Sequence, residues 1–272
     1  MNLIDALFAR LRSEGRKAFM PFITAGDPDL STTELIAAEL VRRGANLLEI
    51  GFPYSDPIAD GVVVQASYTR ALNGGLKIDD VYRTARRLAD APPVRGTPLV
   101  AMVSYSLVQR RGHETFFSQA QAAGFSGAIV PDLPVEEGEP LAAFAKRHDF
   151  KLIQLVTPTT PRERAVAIAR RSTGFLYCVS VTGITGEREQ LPTELLDQLA
   201  WLRQHTDLPL CVGFGVSRPE HVRMLRDVAD GIIVGSALVR RLEQAGTKPV
   251  TTIVREIGDL AASLVDALQP GH

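Results

Sequence analysis

The sequence predicts the α/β fold class, on three observations. Eight short and nearly unbroken apolar runs recur along the 272 residues, as is typical of parallel strands that are covered on one face and packed inside a barrel on the other. Amphipathic stretches separate these runs, and several end in a basic residue followed by Gly or Asn, a pattern that stops helices. Eight strand–helix units in about 250 residues match the size of one closed barrel. Together these observations predict a single (β/α)8 TIM barrel with an extra N-terminal helix.

A doubly wound sheet would also alternate strands and helices. Chain length alone favours two domains, although α/β barrels of about 250 residues are an exception to that rule. No GxGxxG motif follows the first predicted strand, and no linker or shift in composition divides the chain. We therefore expect residues 1–272 to form a single (β/α)8 barrel domain.

The first predicted element is the N-terminal helix. Its apolar residues recur at helical spacing and are Ile4, Leu7, Phe8 and Leu11. Charged residues lie off this face, so the pattern predicts an amphipathic helix rather than the apolar core of a signal peptide.

Eight strands follow in order. Their apolar runs cover residues 18–24, 46–52, 98–104, 127–131, 151–156, 174–180, 209–214 and 231–236. Helical patterns between them include residues 32–46, 113–125, 140–150 and 218–230. Active sites of such barrels lie at the carboxyl ends of the strands, so the residues just after each run are the candidates for function.

Composition excludes several classes of protein. The chain has 30 Lys and Arg against 31 Asp and Glu, and without a basic block neither nucleic acid nor an anionic membrane is expected as its principal partner. No apolar stretch approaches the roughly 18 residues of a membrane span, and we expect a cytoplasmic protein. Cys178 and Cys211 lie in apolar runs and are expected to be buried thiols, a disulfide being the weaker alternative.

Glycine clusters follow the last three predicted strands, at residues 183–186, 213–215 and 235–237. Glycines let backbone N–H groups approach an anion closely, and a helix start adds a favourable dipole. The loops after the seventh and eighth strands form the recurrent phosphate site of this fold, where the Ser236 hydroxyl can add a donor. The alternative is that the glycines only form tight turns, but three clusters at consecutive junctions favour a phosphate site.

The second predicted strand carries Glu49 among apolar neighbours near its carboxyl end. A buried, unpaired carboxylate is costly, so this group either finds a partner or has a raised pKa. A raised pKa suits a general acid–base, whereas a salt bridge to a neighbouring loop would make Glu49 structural.

The loop that follows is long and polar and holds Asp56 and Asp60. Loops place catalytic groups on a rigid scaffold, so one of these acids is expected to converge with Glu49, although spacing does not say which. Asp27 and Asp132 follow the first and fourth strands and fit either a catalytic or a turn-capping role.

The sequence lacks the motifs of metal sites, nucleophile triads and nucleotide-binding loops. The five His residues have no paired metal-ligand spacing, so no metal is expected. Basic pairs such as Arg240 and Arg241 lie on predicted helices and are most simply solvated. No nucleophile triad and no Walker A loop is present.

Six segments in this order and spacing resemble the tryptophan synthase α-subunit family, over nearly the whole chain. They are PFITAGDPD, LEIGFPYSDPIADG, IVPDLPVEE, GITG, GFG and GSA. The resemblance implies a (β/α)8 barrel that performs a retro-aldol cleavage of indole-3-glycerol phosphate to indole and glyceraldehyde 3-phosphate. It also implies a tryptophan synthase β subunit as partner in an α2β2 heterotetramer, with no cofactor in this chain and pyridoxal phosphate in the β subunit, which receives the indole for tryptophan synthesis.

The resemblance also assigns roles to residues. Glu49 is implied as the catalytic acid–base and Asp60 as its partner. The positions that match the family's substrate-binding residues are Phe22, Tyr177, Thr185, Gly186, Gly213, Phe214, Gly235 and Ser236. Phe22 and Tyr177 would line the indole pocket, Thr185 would close over the substrate, and the others would contact phosphate.

Two places depart from the family pattern. Ser104-Tyr105-Ser106 replaces a Tyr-x-Asn pattern, and Val62 replaces a proline. Two other functions stay open: a different phosphosugar isomerase or aldolase, and a barrel that only binds a partner. A Schiff-base aldolase needs a lysine at a strand's carboxyl end, and Lys151 opens its strand at the other end.

Overall fold

Parallel strands form the centre of the molecule in the computed structural model, which describes residues 1–57, 60–133, 138–180, 193–213 and 215–269. Within these ranges nine strands pair in the order β5-β4-β3-β2-β1-β9-β8-β7-β6. They are β1 Ala18–Thr24, β2 Leu48–Gly51, β3 Leu99–Met102, β4 Phe125–Ile129, β5 Lys151–Ile153, β6 Leu155–Val156, β7 Leu176–Val179, β8 Leu210–Gly213 and β9 Gly231–Val234. This confirms the predicted α/β barrel.

The barrel closes through its fifth strand, which is divided in two. β5 pairs with β4 and β6 pairs with β7, and only Gln154 separates β5 from β6 along the chain. The Gln154 N–H donates to the Ser172 hydroxyl at 3.1 Å, which diverts it from the ladder. β5 and β6 therefore act as one barrel strand, and the predicted count of eight holds.

Helices cover the outside of the barrel. They are α1 Leu3–Ser13, α2 Leu30–Arg42, α3 Val62–Asn73, α4 Ile78–Asp90, α5 Tyr105–Arg111, α6 His113–Ala122, α7 Glu139–His148, α8 Arg162–Arg171, α9 Thr193–Arg203, α10 Pro219–Leu225, α11 Ser236–Val239 and α12 Val250–Leu268. A 3-10 helix, Arg240–Gln244, follows α11. Among the described residues, no helix combines the length and apolar character that crossing a membrane would need.

The barrel interior is closed at the amino ends of its strands by α1. The four residues predicted as its apolar face are buried and belong to the interior apolar cluster. The Phe8 and Phe175 ring centroids lie 5.9 Å apart. The extra N-terminal helix is thus confirmed, and it leaves the carboxyl ends of the strands as the open face.

The two cysteines lie on opposite sides of the sheet. Cys211 points into the barrel interior, whereas Cys178 packs in the outer layer between strands and helices. Both are free and buried, as predicted.

Candidate active site

One cavity of about 280 Å³ opens at the carboxyl ends of the strands. Six of the residues predicted for the site line it: Phe22, Glu49, Asp60, Tyr177, Gly235 and Ser236. They come from β1, β2, the loop after β2, β7 and the junction between β9 and α11. Closure of the barrel therefore brings together side chains that are distant in sequence.

Glu49 lies inside the barrel wall with no solvent exposure. On β2 it is in register with Phe22 of β1 and Val100 of β3, which surround it with apolar atoms. Neither carboxyl oxygen has a hydrogen-bond partner among the described residues, so the salt-bridge alternative is not observed. Burial raises the pKa of Glu49 to about 8, and at neutral pH the group holds a proton that it can donate.

Asp60, rather than Asp56, converges with Glu49. Asp56 is exposed and lines a different cavity, whereas the Asp60 side chain faces the cavity that contains Glu49. The pKa of Asp60 is raised to about 6. Burial is the largest cause, the hydrogen bond from Tyr54 opposes it, and the negative charge of Asp132 adds to it. At neutral pH Asp60 is therefore largely an anion beside a protonated Glu49.

Aromatic and apolar side chains form the cavity walls. Phe22 and Tyr177 are buried, and the apolar lining also includes Val64, Met102 and Ile233. The pKa of Tyr177 is raised by burial and then by the charges of Glu49 and Asp60, so its hydroxyl lies near both acids. A planar aromatic ring fits such walls.

Gly213 has a packing role in this wall. A Cβ atom at this position would overlap the Tyr177 hydroxyl oxygen. The missing side chain therefore makes room for the Tyr177 ring, and Gly213 does not itself line the cavity.

The cavity end near β9 has the composition of an anion site. Gly235 and Ser236 line it at the start of α11, as predicted. The three remaining predicted positions, Thr185, Gly186 and Phe214, lie outside the described residues.

Four polar or charged residues of the lining were missed by the sequence analysis: Ser217, Arg218, His221 and Arg240. His221 was set aside because the five His residues have no paired metal-ligand spacing. It is only 4% exposed and accepts a hydrogen bond at Nδ1 from the Ser217 N–H at 3.4 Å. Burial, and then the charge of Arg218, lowers its pKa. Arg240 is exposed, as predicted, but it stands at the cavity rim. The four missed residues follow the second and third glycine clusters closely in sequence, and that position could have identified them as part of the site.

Asp27 and Asp132 have structural partners. The Asp27 carboxylate accepts two hydrogen bonds from Arg70, from Nε at 2.8 Å and Nη2 at 2.7 Å. Asp132 accepts from the Ser104 hydroxyl and from the Tyr105 N–H, both at 2.7 Å. Asp132 therefore has the predicted capping role, whereas Asp27 forms an ion pair with Arg70.

A second, outer cavity of about 880 Å³ lies beside the first. Its lining includes Tyr54, Asp56, Asp132 and the unusual segment at Ser104 and Ser106. We call it the outer cavity below. Among the described residues, no group of three or more His, Cys, Asp or Glu is arranged to hold a metal ion.

Comparison with known proteins gives consistent matches over the chain. A family model described as Tryptophan synthase alpha chain matches residues 8–266. The tryptophan synthase alpha chain of Rhodopirellula baltica is 52% identical over 98% of this chain and 99% of its own length. The tryptophan synthase alpha chain of Synechococcus elongatus is 46% identical over 94% of this chain and 96% of its own length. A crystal structure of tryptophan synthase subunit alpha from Legionella pneumophila superimposes with a TM-score of 0.89, at 34% identity and 98% coverage of both chains.

Proposed function

The chain belongs to the tryptophan synthase alpha chain family, and we propose that Glu49 and Asp60 perform the reaction of this subunit. That reaction is the cleavage of indole-3-glycerol phosphate to indole and glyceraldehyde 3-phosphate, and the chain is the lyase that catalyses it. The observation that carries the residue assignment is a buried Glu49 carboxyl without a partner, in one cavity with Asp60.

Glu49 can supply both proton transfers that the cleavage needs. Protonated Glu49 donates its proton to C3 of the indole ring, giving an indoleninium cation that keeps its N–H. The carboxylate so formed then takes the proton of the hydroxyl on the carbon attached to the ring. As that carbon becomes the aldehyde, the electrons of the breaking carbon–carbon bond return to the ring. Glu49 ends protonated, ready for another turnover.

Asp60 stabilises the charge that this sequence creates. Protonation at C3 places positive charge on the ring nitrogen, whose N–H can donate to an ionised carboxylate. Because the pKa of Asp60 is about 6, it is ionised at neutral pH and provides a fixed negative charge where positive charge develops.

The rest of the cavity holds the two ends of the substrate. Phe22 and Tyr177 are proposed to pack against the indole ring. Gly235 and Ser236 are proposed to bind phosphate through main-chain and hydroxyl donors, together with Gly186 and Phe214. Thr185 is proposed to close over the substrate, and Gly213 to make room for the Tyr177 ring. Arg218 and Arg240 add positive charge at the same end.

Lys151 argues against a Schiff-base aldolase. It lies at the amino end of β5, with Asp5 and Asp149 carboxylates 2.6 and 3.3 Å from its amine. The carboxyl-end cavity is lined by no lysine among the residues that the structure describes.

Membership of this family implies a tryptophan synthase β subunit as partner. We propose the finer arrangement of an α2β2 heterotetramer, in which the β subunit carries pyridoxal phosphate and condenses the indole with serine. We further propose that residues 1–272 act as one barrel domain, and that the complex works in the cytoplasm.

An indole-release assay tests the proposed chemistry. Purified protein is given indole-3-glycerol phosphate with and without the β subunit, and glyceraldehyde 3-phosphate and a plain aldose phosphate serve as comparison substrates. We expect indole in both conditions and more of it with the β subunit. Turnover of the plain sugar phosphate without indole release would favour a different phosphosugar enzyme, and no indole under either condition would favour a binding role.

Asp60→Asn tests the second residue in the same assay. It removes the negative charge and keeps the shape, so we expect indole release to fall by about 10²-fold or more. Asp56→Asn, on the exposed neighbour, is the matched control and should stay near wild type. An unchanged rate in Asp60→Asn would exclude Asp60 from the mechanism.

A further inference from the structure

Tyr54 stands between the catalytic cavity and the outer cavity. It follows β2 by three residues, and its ring lines the outer cavity. Its hydroxyl lies 3.3 Å from Asp60 Oδ2 and donates a hydrogen bond to it. The ring packs against that of Tyr68 on α3, with centroids 5.6 Å apart and planes inclined by 54°. Two elements therefore fix the direction of the hydroxyl.

The groups around Asp60 are mostly acidic or phenolic. They are Glu49 on β2, Tyr54 in the loop after β2, Tyr68 on α3, Tyr177 on β7 and Asp132 after β4. The exposed Asp56 faces Tyr54 instead. The basic groups of the cavity, Arg218, His221 and Arg240, follow β8 and β9. Asp60 makes no ion pair within the described ranges, and its carboxylate accepts a hydrogen bond there from Tyr54 alone.

We propose that Tyr54 is a positioning residue for the cleavage, whose hydroxyl keeps the Asp60 carboxylate ionised and turned toward the ring nitrogen of the substrate. The proposal rests on the assignment of Asp60 given above. It concerns a hydroxyl that touches Asp60 rather than the reacting atoms, and a phenylalanine at this position would keep the ring packing but lose the donor.

Opposing effects act on the Asp60 carboxylate. Burial and the Asp132 charge both favour the neutral acid, and the Tyr54 hydrogen bond favours the anion. A hydrogen bond donated to an ionised acceptor stabilises it more than it stabilises the neutral form. Removing the hydroxyl leaves the other two effects unopposed, so the pKa of Asp60 should rise from about 6 toward neutrality.

Tyr54→Phe in the α–β complex gives the test, through the pH dependence of kcat for indole release. In the wild type we expect activity to fall below about pH 6, as Asp60 is protonated, and above about pH 8, as Glu49 loses its proton. In Tyr54→Phe the acid limb should move up by about half a unit to one unit, with the basic limb unmoved. That shift makes kcat about two- to fivefold lower at pH 6 and nearly unchanged at pH 8, with an unchanged KM.

Tyr82→Phe is the matched control. The Tyr82 hydroxyl is also buried and donates to a backbone oxygen, that of Phe116, at 3.2 Å, but Tyr82 lines neither cavity. Its pH profile should match the wild type. An unmoved acid limb in Tyr54→Phe would overturn the proposal, as would a loss of kcat that is equal at every pH, since that would indicate a packing role alone.

A direct titration separates this proposal from the assignment of the reaction. In protein with carbon-13 in the Asp carboxyls, the Asp60 signal is identified by its absence in Asp60→Asn and followed against pH. Its midpoint should be higher in Tyr54→Phe than in wild type, whether or not indole is released. If Tyr54→Phe does not fold, 3-fluorotyrosine at position 54, a stronger donor with the same ring, should lower the midpoint. An unchanged midpoint in either protein would contradict the proposal.

Discussion

Glu49 keeps its proton because the fold gives it an apolar surrounding and no partner. Its carboxyl is unexposed, and its neighbours in register, Phe22 and Val100, offer no hydrogen bond. Such a site disfavours the charged form, which raises the pKa. The same surroundings that prepare Glu49 for proton transfer therefore destabilise the folded chain whenever Glu49 ionises.

This gives a prediction for stability against pH. The unfolded chain loses the Glu49 proton near its ordinary pKa of 4.5, and the folded chain keeps it up to about pH 8. The unfolded state thus binds fewer protons between these values, and stability falls as pH rises through the window. Glu49→Gln cannot ionise, so we expect it to be more stable than wild type by about 3–4 kcal/mol at pH 8 and by less than about 1 kcal/mol at pH 5.

Urea unfolding at the two pH values measures this difference. Glu163→Gln, the same change at an exposed residue of α8, is the control and should behave alike at pH 5 and pH 8. A Glu49→Gln effect of the same size at both pH values would mean that Glu49 has an ordinary pKa in the folded protein.

Arg218 and Arg240 are positively charged residues at the proposed phosphate end of the cavity. Both line it, and their positive charge should attract a dianion. We expect Arg218→Ala and Arg240→Ala each to raise KM by about three- to tenfold with little change in kcat, and the effect to shrink in high salt because exposed charges are screened. Arg223→Ala on the outer side of α10 is the control. A KM near wild type in both variants would exclude these arginines from binding.

Part of this site could be predicted from the sequence. The remaining residues could not be predicted, because their place in the site depends on how their own segments fold. Glu49 stood out because a carboxylate in an apolar run needs an explanation. Asp56 and Asp60 could not be separated, because both lie in one polar loop and only folding turns Asp60 inward. His221 and Arg240 were missed because their helical positions place them on a surface or a cavity wall according to what packs beside them.

Among the elements, α3 is the one that carries Asp60 into the site. Asp60 and Gly61 directly precede its first residue, and two contacts hold the helix against β1 and its loop. The Thr24 and Ser67 hydroxyls share a hydrogen bond of 2.7 Å, and Arg70 holds the unexposed Asp27 through two of its nitrogens. The depth of the cavity at Asp60 therefore depends on contacts remote from the chemistry.

Arg70→Met should break this anchor. It leaves Asp27 buried without its cation, for which we expect a loss of about 3–5 kcal/mol in the free energy of unfolding together with a lower kcat. Adding Asp27→Asn should restore part of the stability, because no buried charge then remains. Arg83→Met, which removes an exposed ion-pair partner of Asp80 on α4, should cost less than about 1 kcal/mol. Equal losses in the two single variants, measured by urea unfolding, would contradict the anchoring role.

The boundaries of the elements show which parts of the fold the sequence can predict. β1 has the predicted bounds of residues 18–24, because its seven residues are apolar except the last. β4 begins at Phe125, two residues before the predicted start at Gly127, because the polar Ser126 interrupts the apolar run and Phe125 also fits the preceding helical pattern. The division of the fifth strand at Gln154 depends on a hydroxyl from Ser172, which lies 18 residues away.

For the whole molecule, repetition was the informative signal. Eight apolar runs and their intervening helical patterns predicted the closed barrel without any single strong motif. The apolar face of α1 was also predicted, but a helical pattern shows which face is buried and not what buries it. Its position beneath the barrel, against Phe175, follows from three-dimensional closure.

Closure of the barrel also explains why the candidate site residues lie on one face. With α1 filling the amino end, the carboxyl ends form the open cavity, and residues from β1 to α11 meet there. The proposed phosphate site at one end, the aromatic walls in the middle and the two acids of different pKa correspond to the parts of a phosphorylated indole glycerol. The outer cavity adjoins this site through Tyr54.

The most direct test of the account is the rate of indole release by Glu49→Gln, with substrate binding measured in the same protein. Glu49→Gln keeps the size of the side chain and removes its proton transfer, so we expect kcat to fall by about 10²–10⁴-fold or more while substrate affinity stays within about threefold of wild type. Glu163→Gln should retain full activity. Indole release by Glu49→Gln near the wild-type rate would contradict the central claim that this carboxyl moves the protons of the cleavage.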